Sequence, residues 1–153
     1  STVGTGFPAT WAIMSPGRAP ERTVPAGTTL TRPSLDGDGN LVVATNNAVV
    51  NGVDLVTGNS GEGGILVQAT GVTIKNSKVR FVDTDFNAPN ADGGAHPTVV
   101  QDTEIDCQQA ADGSGVATAI DYGNYTLTRV NVHGCENPGA RSIDFEYDAS
   151  TIV

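Results

Sequence analysis

Four segments of the chain align with one another at a nearly constant spacing. They are AVVNGVDL (48–55), VTIKNSKV (72–79), TVVQDTEI (98–105) and YTLTRVNV (125–132), and STIV (150–153) begins a fifth. Their first residues lie 24, 26, 27 and 25 positions apart. A fixed period of this length indicates one supersecondary unit stacked on copies of itself. The spacing therefore predicts a solenoid.

Apolar and polar residues alternate inside each segment. One aligned apolar column contains Val50, Ile74, Val100, Leu127 and Ile152, and a second contains Leu55, Val79, Ile105 and Val132. Five residues upstream of the repeat starts lies a shorter column of Val43, Val67, Ile120 and Phe145, which Gly93 interrupts. Period-two alternation is typical of strands with one buried face. Units this short leave no room for a helical crossover, so the pattern predicts an all-β parallel β-helix of about four coils.

The two ends of the chain differ from the repeats. Residues 1–40 are richer in Pro, Thr and Gly and predict an irregular N-terminal arm or cap, whereas 41–153 predict the coils. The candidates to cover the first coil are Phe7, Trp11, Ile13 and Met14. The alignment leaves Val153 in mid-strand, so we expect the solenoid to be truncated at its C-terminal end. Either more protein follows, or other subunits or copies of the chain pair with an open coil end.

Composition and hydropathy argue against nucleic acid and a membrane span as partners. The chain carries 8 Lys and Arg against 17 Asp and Glu, a formal charge of -9. This acidity argues against nucleic acid, because phosphate binding needs a basic surface. No apolar run approaches the roughly 18 residues of a membrane span.

Cys107 and Cys135 follow equivalent strands of adjacent units, 28 residues apart. Neighbouring strands are about 4.8 Å apart, which brings the two α-carbons within disulfide range. The sequence predicts a disulfide between coils and thus an oxidising, extracellular compartment. Two free buried thiols are the alternative.

Four segments also resemble a known superfamily. VPAGTTLT (24–31), GVTIKNSKV (71–79), TVVQDTEID (98–106) and LTRVNVHG (127–134) are similar to right-handed parallel β-helix proteins of the pectate-lyase-like superfamily, in particular those of actinobacteria and of the tails of their phages. The resemblance implies a right-handed coil and a secreted or virion-surface location. The superfamily includes polysaccharide lyases, glycoside hydrolases and phage tailspikes, so fold alone does not select an activity. Tailspike relatives are often trimers, which makes a homotrimer one implied assembly.

Outward-facing positions of successive units form three polar ladders. They are Asp54, Lys78, Glu104 and Asn131; Arg80, Asp106 and His133; and Asn76, Asp102 and Arg129. Opposite charges on neighbouring strands favour interpretation as register-setting ion pairs. The alternative is a polysaccharide lyase, with Arg80 neutralising a uronate, Asp106 binding a cation, usually calcium, and His133 acting as the base.

Two further acidic sets are candidate sites. Asp121 and Glu146 occupy one aligned column, which suits the paired carboxylates of a glycoside hydrolase. Their aromatic neighbours also suggest a simple stack with the carboxylates in water. The long interruption 80–97 carries a possible Ca²⁺ site at Asp83, Asp85, Asn87 and Asp92. A similar spacing at Asp36, Asp38 and Asn40 is interpreted as a tight turn around Asp-Gly.

Three function classes follow. The first is a structural or adhesive section of an extracellular or virion surface protein, like a tail spike or fibre, in contact with cell-surface polysaccharide. The second is a polysaccharide lyase or glycoside hydrolase, and the third is a protein–protein scaffold. The lack of a strong catalytic motif favours the first.

Overall fold

The computed structural model describes residues 24–56, 62–84, 96–108, 118–121, 124–135, 137–140, 145–148 and 151–152. Within these ranges the chain is all-β, with fourteen strands of two to four residues and no helix. The strands are β1 (Leu41–Val43), β2 (Val49–Asn51), β3 (Gly64–Val67), β4 (Thr73–Lys75), β5 (Lys78–Val79), β6 (Phe81–Asp83), β7 (Thr98–Gln101), β8 (Glu104–Asp106), β9 (Thr118–Asp121), β10 (Tyr125–Thr128), β11 (Asn131–His133), β12 (Asn137–Ala140), β13 (Phe145–Asp148) and β14 (Thr151–Ile152).

The strands form three sheets in which every described pair is parallel. The first sheet has the order β1-β3-β6-β9-β12, the second β2-β4-β7-β10-β13 and the third β5-β8-β11-β14. Each strand pairs with the corresponding strand of the next unit, and consecutive strands along the chain belong to different sheets. Buried residues from all three sheets belong to a single hydrophobic core.

The main apolar column of the alignment is confirmed for four units. Val50 pairs with Ile74, Ile74 with Val100, and Val100 with Leu127. The last three are fully buried. The column that contains Val79, Ile105 and Val132 is likewise in register and fully buried. Alternation at a period of two thus located the interior face of the second and third sheets.

The shorter upstream column is only partly correct. Val43 pairs with Val67 as expected, but Ile120 pairs with Val82, which in turn pairs with Ile65. Counting back five residues from Thr98 led to Gly93, which lies outside the described residues. The strand of that unit is instead β6, which lies at the start of the long interruption 80–97.

The last unit also departs from the alignment. Phe145 pairs with Tyr125 in the second sheet, and Ile152 pairs with Val132 in the third. The predicted places of Phe145 in the upstream column and of Ile152 beside Leu127 are therefore wrong. Phe145 follows its register partner Tyr125 by only 20 positions, whereas the alignment used a spacing of 25 for this step. Both strands therefore lie one sheet further along than predicted.

A column of left-handed corners separates the second sheet from the third. Gly52, Asn76, Asp102 and Arg129 have φ of 70°, 52°, 49° and 50°. The backbone N–H groups of Gly52, Asn76 and Asp102 each donate to a carbonyl oxygen of the following unit, at 3.1 to 3.3 Å. Asn and Asp tolerate this region of φ better than most residues, and Gly enters it freely. The corners therefore stay in register with the strands that they join.

Residues 24–40 contact the first unit without forming a strand. Thr31 makes a parallel bridge to Val53, and Val24 is buried. The side-chain Oδ1 of Asn40 accepts a hydrogen bond from the backbone N–H of Gly64 at 2.9 Å. Residues 1–23, including Phe7 and Trp11, lie outside the described residues. The predicted covering of the first coil by apolar residues of that segment stays a prediction.

Candidate functional site

Four polar side chains gather on the solvent-facing side of the third sheet. Lys78 pairs in register with Glu104, and Asp106 with His133. Since Ile105 between the two acids is fully buried, alternation along β8 points both carboxylates away from the core. We call Lys78, Glu104, Asp106 and His133 the carboxylate–histidine cluster.

The imidazole of His133 lies between the two carboxylates. Its Nε2 is 2.8 Å from Glu104 Oε1, and its Nδ1 is 3.7 Å from Asp106 Oδ1. The ammonium of Lys78 is 3.7 Å from Glu104 Oε2. All four side chains are 21% to 32% exposed, so solvent and ligands can reach them.

These contacts shift two pKa values in opposite directions. The hydrogen bond to Glu104 raises the pKa of His133, against the opposing effect of burial. The hydrogen bond to His133 lowers the pKa of Glu104, and the charge of Lys78 adds to this effect. Both shifts favour an imidazolium bound to a carboxylate. A contact that favours the protonated imidazole makes His133 a poorer base for a lyase in this arrangement.

Glu104, Asp106 and His133 form a potential metal-ligand set. One ligand atom each from Glu104, Asp106 and His133 lie within 4.8 Å of one another. Asp106 Oδ1 also accepts the backbone N–H of Gln108 at 3.1 Å. Gly134, at φ 67°, leaves room for this carboxylate, because an added Cβ would lie 2.9 Å from Asp106 Oδ1. The carboxylate is thus held in place by its surroundings.

The predicted disulfide is confirmed and lies beside the cluster. Cys107 follows Asp106, Cys135 follows Gly134, and their α-carbons are 5.0 Å apart. The backbone N–H of Cys107 donates to the carbonyl of His133 at 3.1 Å. The bond therefore links the ends of the two strands that carry Asp106 and His133.

Arg80 does not join the outward ladder with Asp106 and His133. It is 1% exposed, and its Nη2 donates to the carbonyl oxygen of Cys107 at 3.0 Å. Burial lowers the pKa of its guanidinium, while the charges of Asp106 and Glu62 oppose that effect. The prediction of an exposed Arg80 is wrong because the residue lies at the corner between β5 and β6, where strand alternation no longer applies. A role in neutralising an external uronate is not supported by this position.

Asp121 and Glu146 are not neighbours on adjacent strands. Asp121 lies in β9 of the first sheet and pairs with Asp83, whereas Glu146 lies in β13 of the second sheet and pairs with Thr126. The paired-carboxylate prediction relied on a shared column, so its geometric basis is wrong. The acid in register with Asp121 is Asp83, which the alignment missed because it placed the strand of that unit at Gly93.

The predicted calcium loop is only partly visible. Asp83 ends β6, and Asp85, Asn87 and Asp92 lie outside the described residues. Calcium there stays a prediction. In the arm, Asp36 Oδ1 accepts backbone N–H bonds from Asp38 and Asn40, both at 2.9 Å, which confirms the turn.

The remaining ladder carries an ion pair on neighbouring strands. Arg129 donates to both carboxylate oxygens of Asp102, at 2.6 and 3.0 Å, and the hydrogen bond lowers the pKa of Asp102. Asn76 instead donates to Asn51 Oδ1 at 2.9 Å. The interpretation of these positions as contacts between units is confirmed for Asp102 with Arg129 and for Lys78 with Glu104.

Sequence reasoning missed Glu104 as a partner of His133. Register pairs Glu104 with Asn131, and the contact to His133 is diagonal, two residues further along β11. Diagonal neighbours lie within reach of long side chains. The available signal was that His133 lies two residues beyond Asn131, the register partner of Glu104.

No helix suited to crossing a membrane occurs in the described ranges. Comparisons with protein-family models, with curated proteins and with solved structures returned no match to this chain.

Proposed function

We propose that the chain is a section of a right-handed parallel β-helix that serves as a structural or adhesive part of an extracellular or virion surface protein, of the tail spike or fibre kind. The observation that carries the proposal is the in-register stacking of three parallel sheets around one core. Strands that follow one another along the chain enter different sheets, and their counterparts recur one unit later. A continuous coil explains this connectivity without crossovers.

The charged surface favours a structural over a catalytic role. Glu104 and Asp102, which alignment placed on outward ladders, are engaged by Lys78, His133 and Arg129 from neighbouring strands. Ion pairs of this kind fix register and contribute little free energy, commonly about 0–1 kcal/mol. The disulfide adds a covalent link between units and supports an oxidising environment outside the cell.

Cell-surface polysaccharide is the partner that we propose for the exposed flank. A stiff repeat presents equivalent side chains at regular intervals, which suits a polymer of repeating sugars. The net charge of -9 favours neutral glycans or glycans bridged by cations over strongly anionic ones. Association with other subunits, including a homotrimer, is part of the same proposal, and analytical ultracentrifugation tests it.

A glycan array combined with a turnover assay tests the adhesive function. We expect binding to a subset of polysaccharides without new reducing ends and without the ultraviolet absorbance of unsaturated uronates. Absence of binding across bacterial surface glycans would oppose the adhesive role. Turnover of any bound polymer would replace it with an enzymatic one.

The alternative is a polysaccharide lyase or glycoside hydrolase, and the carboxylate–histidine cluster is the observation in its favour. An acid, an imidazole and an ammonium group lie together on an accessible face, as many active sites require. If turnover is found, Asp106→Asn and His133→Gln should abolish it. Arg129→Gln, which alters the separate ion pair with Asp102, is the matched control and should retain activity.

A further inference from the structure

The carboxylate–histidine cluster combines donors of two chemical types. His133 offers an imidazole nitrogen, and Glu104 and Asp106 each offer a carboxylate oxygen, all within 4.8 Å of one another. In a tetrahedral zinc site with bonds of about 2.1 Å, ligand atoms are about 3.4 Å apart. The side chains would therefore have to approach by about 1.4 Å at most, which rotation of partly exposed carboxylates and of the imidazole can supply.

We propose that Glu104, Asp106 and His133 bind one divalent transition-metal ion of the zinc type. This inference is independent of the proposed adhesive function. Imidazole with carboxylate is a donor set that suits zinc, nickel and copper, whereas calcium takes six to eight oxygen ligands. Two carboxylates and one nitrogen do not provide such an oxygen shell. Three protein ligands also leave a fourth position for water or for an oxygen of a bound molecule.

The surroundings of the cluster hold the ligands before a metal arrives. Asp106 and His133 are paired in register on adjacent strands, and the disulfide joins Cys107, one residue after Asp106, to Cys135, two residues after His133. The backbone N–H of Gln108 donates to Asp106 Oδ1 and so orients this ligand from outside the metal shell. Bonds of this type commonly change metal affinity by about 10- to 100-fold.

The positive charge of Lys78 opposes the ion, as does the proton that zinc would displace from His133. The Lys78 ammonium, 3.7 Å from Glu104 Oε2, competes with a cation for the same carboxylate. Replacing Lys78 with Met keeps an unbranched side chain, shorter by one atom, and removes its charge. Because the pair is partly exposed, we expect Lys78→Met to tighten zinc binding by only about fivefold. Unchanged zinc affinity in Lys78→Met would show that Lys78 does not compete with the ion for Glu104.

Isothermal titration calorimetry of the whole chain with zinc chloride tests the proposal. We expect one zinc ion per chain in wild type, and any binding of calcium chloride should be unaffected by His133→Gln. His133→Gln should weaken zinc binding by about 100-fold or more, because it removes a direct ligand. His96→Gln is the matched control, since His96 is exposed and is the other histidine of the chain. It should bind zinc like wild type.

Circular dichroism should show that the variants fold like wild type. NMR of the wild-type chain provides a second readout, which needs no substitution. On addition of zinc to the wild-type chain, the ring resonances of His133 should shift and those of His96 should not. Shifts confined to His96, unchanged affinity in His133→Gln, or no saturable zinc binding in wild type would each overturn the proposal. Loss of the site in Asp83→Asn with retention in His133→Gln would place the metal at the long interruption and overturn it as well.

Discussion

Removal of the disulfide should measure how much the link between units constrains the unfolded chain. Cys107 and Cys135 are separated by 28 residues, and Cys107 is fully buried. In the loop-entropy description, closing a loop of this length lowers the entropy of the unfolded chain by about 12 cal/mol/K. At 25 °C this corresponds to about 3.6 kcal/mol of stability.

The double variant Cys107→Ala/Cys135→Ala provides the perturbation. We expect its free energy of unfolding to fall by about 3.6 kcal/mol, with additional loss if alanine leaves a void beside the core. With an m-value of about 2 kcal/mol/M, the urea midpoint should fall by about 1.8 M. Urea titration followed by circular dichroism measures the shift.

Reducing agent supplies the control for this experiment. It should lower the midpoint of the wild-type chain toward that of the double variant and leave the double variant unchanged. Mass spectrometry should find the two thiols unreactive in the oxidised protein. A double variant within about 1 kcal/mol of wild type would refute the loop-entropy reasoning, and free thiols in the oxidised protein would refute the pairing itself.

Three other perturbations test separate parts of the structure. Leu127→Ala should lower the free energy of unfolding in urea by about 2–5 kcal/mol, because it opens a cavity in the interior column. Val49→Ala, at a side chain that is 59% exposed, should lower it by less than about 0.5 kcal/mol. Equal effects of the two substitutions would argue against the buried column. Gly134→Ala should lower stability by about 1–3 kcal/mol, and by more than Gly27→Ala, because both have positive φ but only the first would contact a carboxylate. A hydrogen bond to a carboxylate raises the pKa of His133, so its stabilising contribution is complete below the pKa of an unfolded histidine and is lost as the pH rises through the folded-state pKa. In metal-free buffer, the Tm of wild type should fall relative to that of His133→Gln as the pH rises from about 6 through the folded-state pKa, and a constant difference would contradict this coupling.

The interior columns could be predicted because their signal is local and repeated. Ile74, Val100 and Leu127 each lie in a segment with strict alternation, so any alignment that preserves the face of the strand brings them into register. Phe145 and Ile152 could not be placed in the same way. The unit that contains them is shorter, and an alignment anchored on an average spacing assigns its strands to the wrong sheets.

The candidate site was harder to predict than the core because it depends on side-chain direction at corners and on diagonal contacts. Arg80 follows the outward residue Lys78 by two positions, yet the corner after Val79 turns its side chain into the interior. Glu104 meets His133 across a diagonal that a column alignment does not display. Period and register therefore predict which strands are neighbours, but they do not determine which of the polar side chains contact each other.

The corner column explains how a chain with so few aromatic residues keeps its units in register. At each left-handed corner a side chain or backbone group can reach a neighbouring unit, as Asn76 does with Asn51 and Arg129 with Asp102. A slip of one residue would move the apolar columns to solvent and at the same time place β-branched residues such as Val130 at positive φ, where they are strongly disfavoured. Burial and backbone geometry thus oppose the same error, and the polar ladders refine a register that these two effects already select.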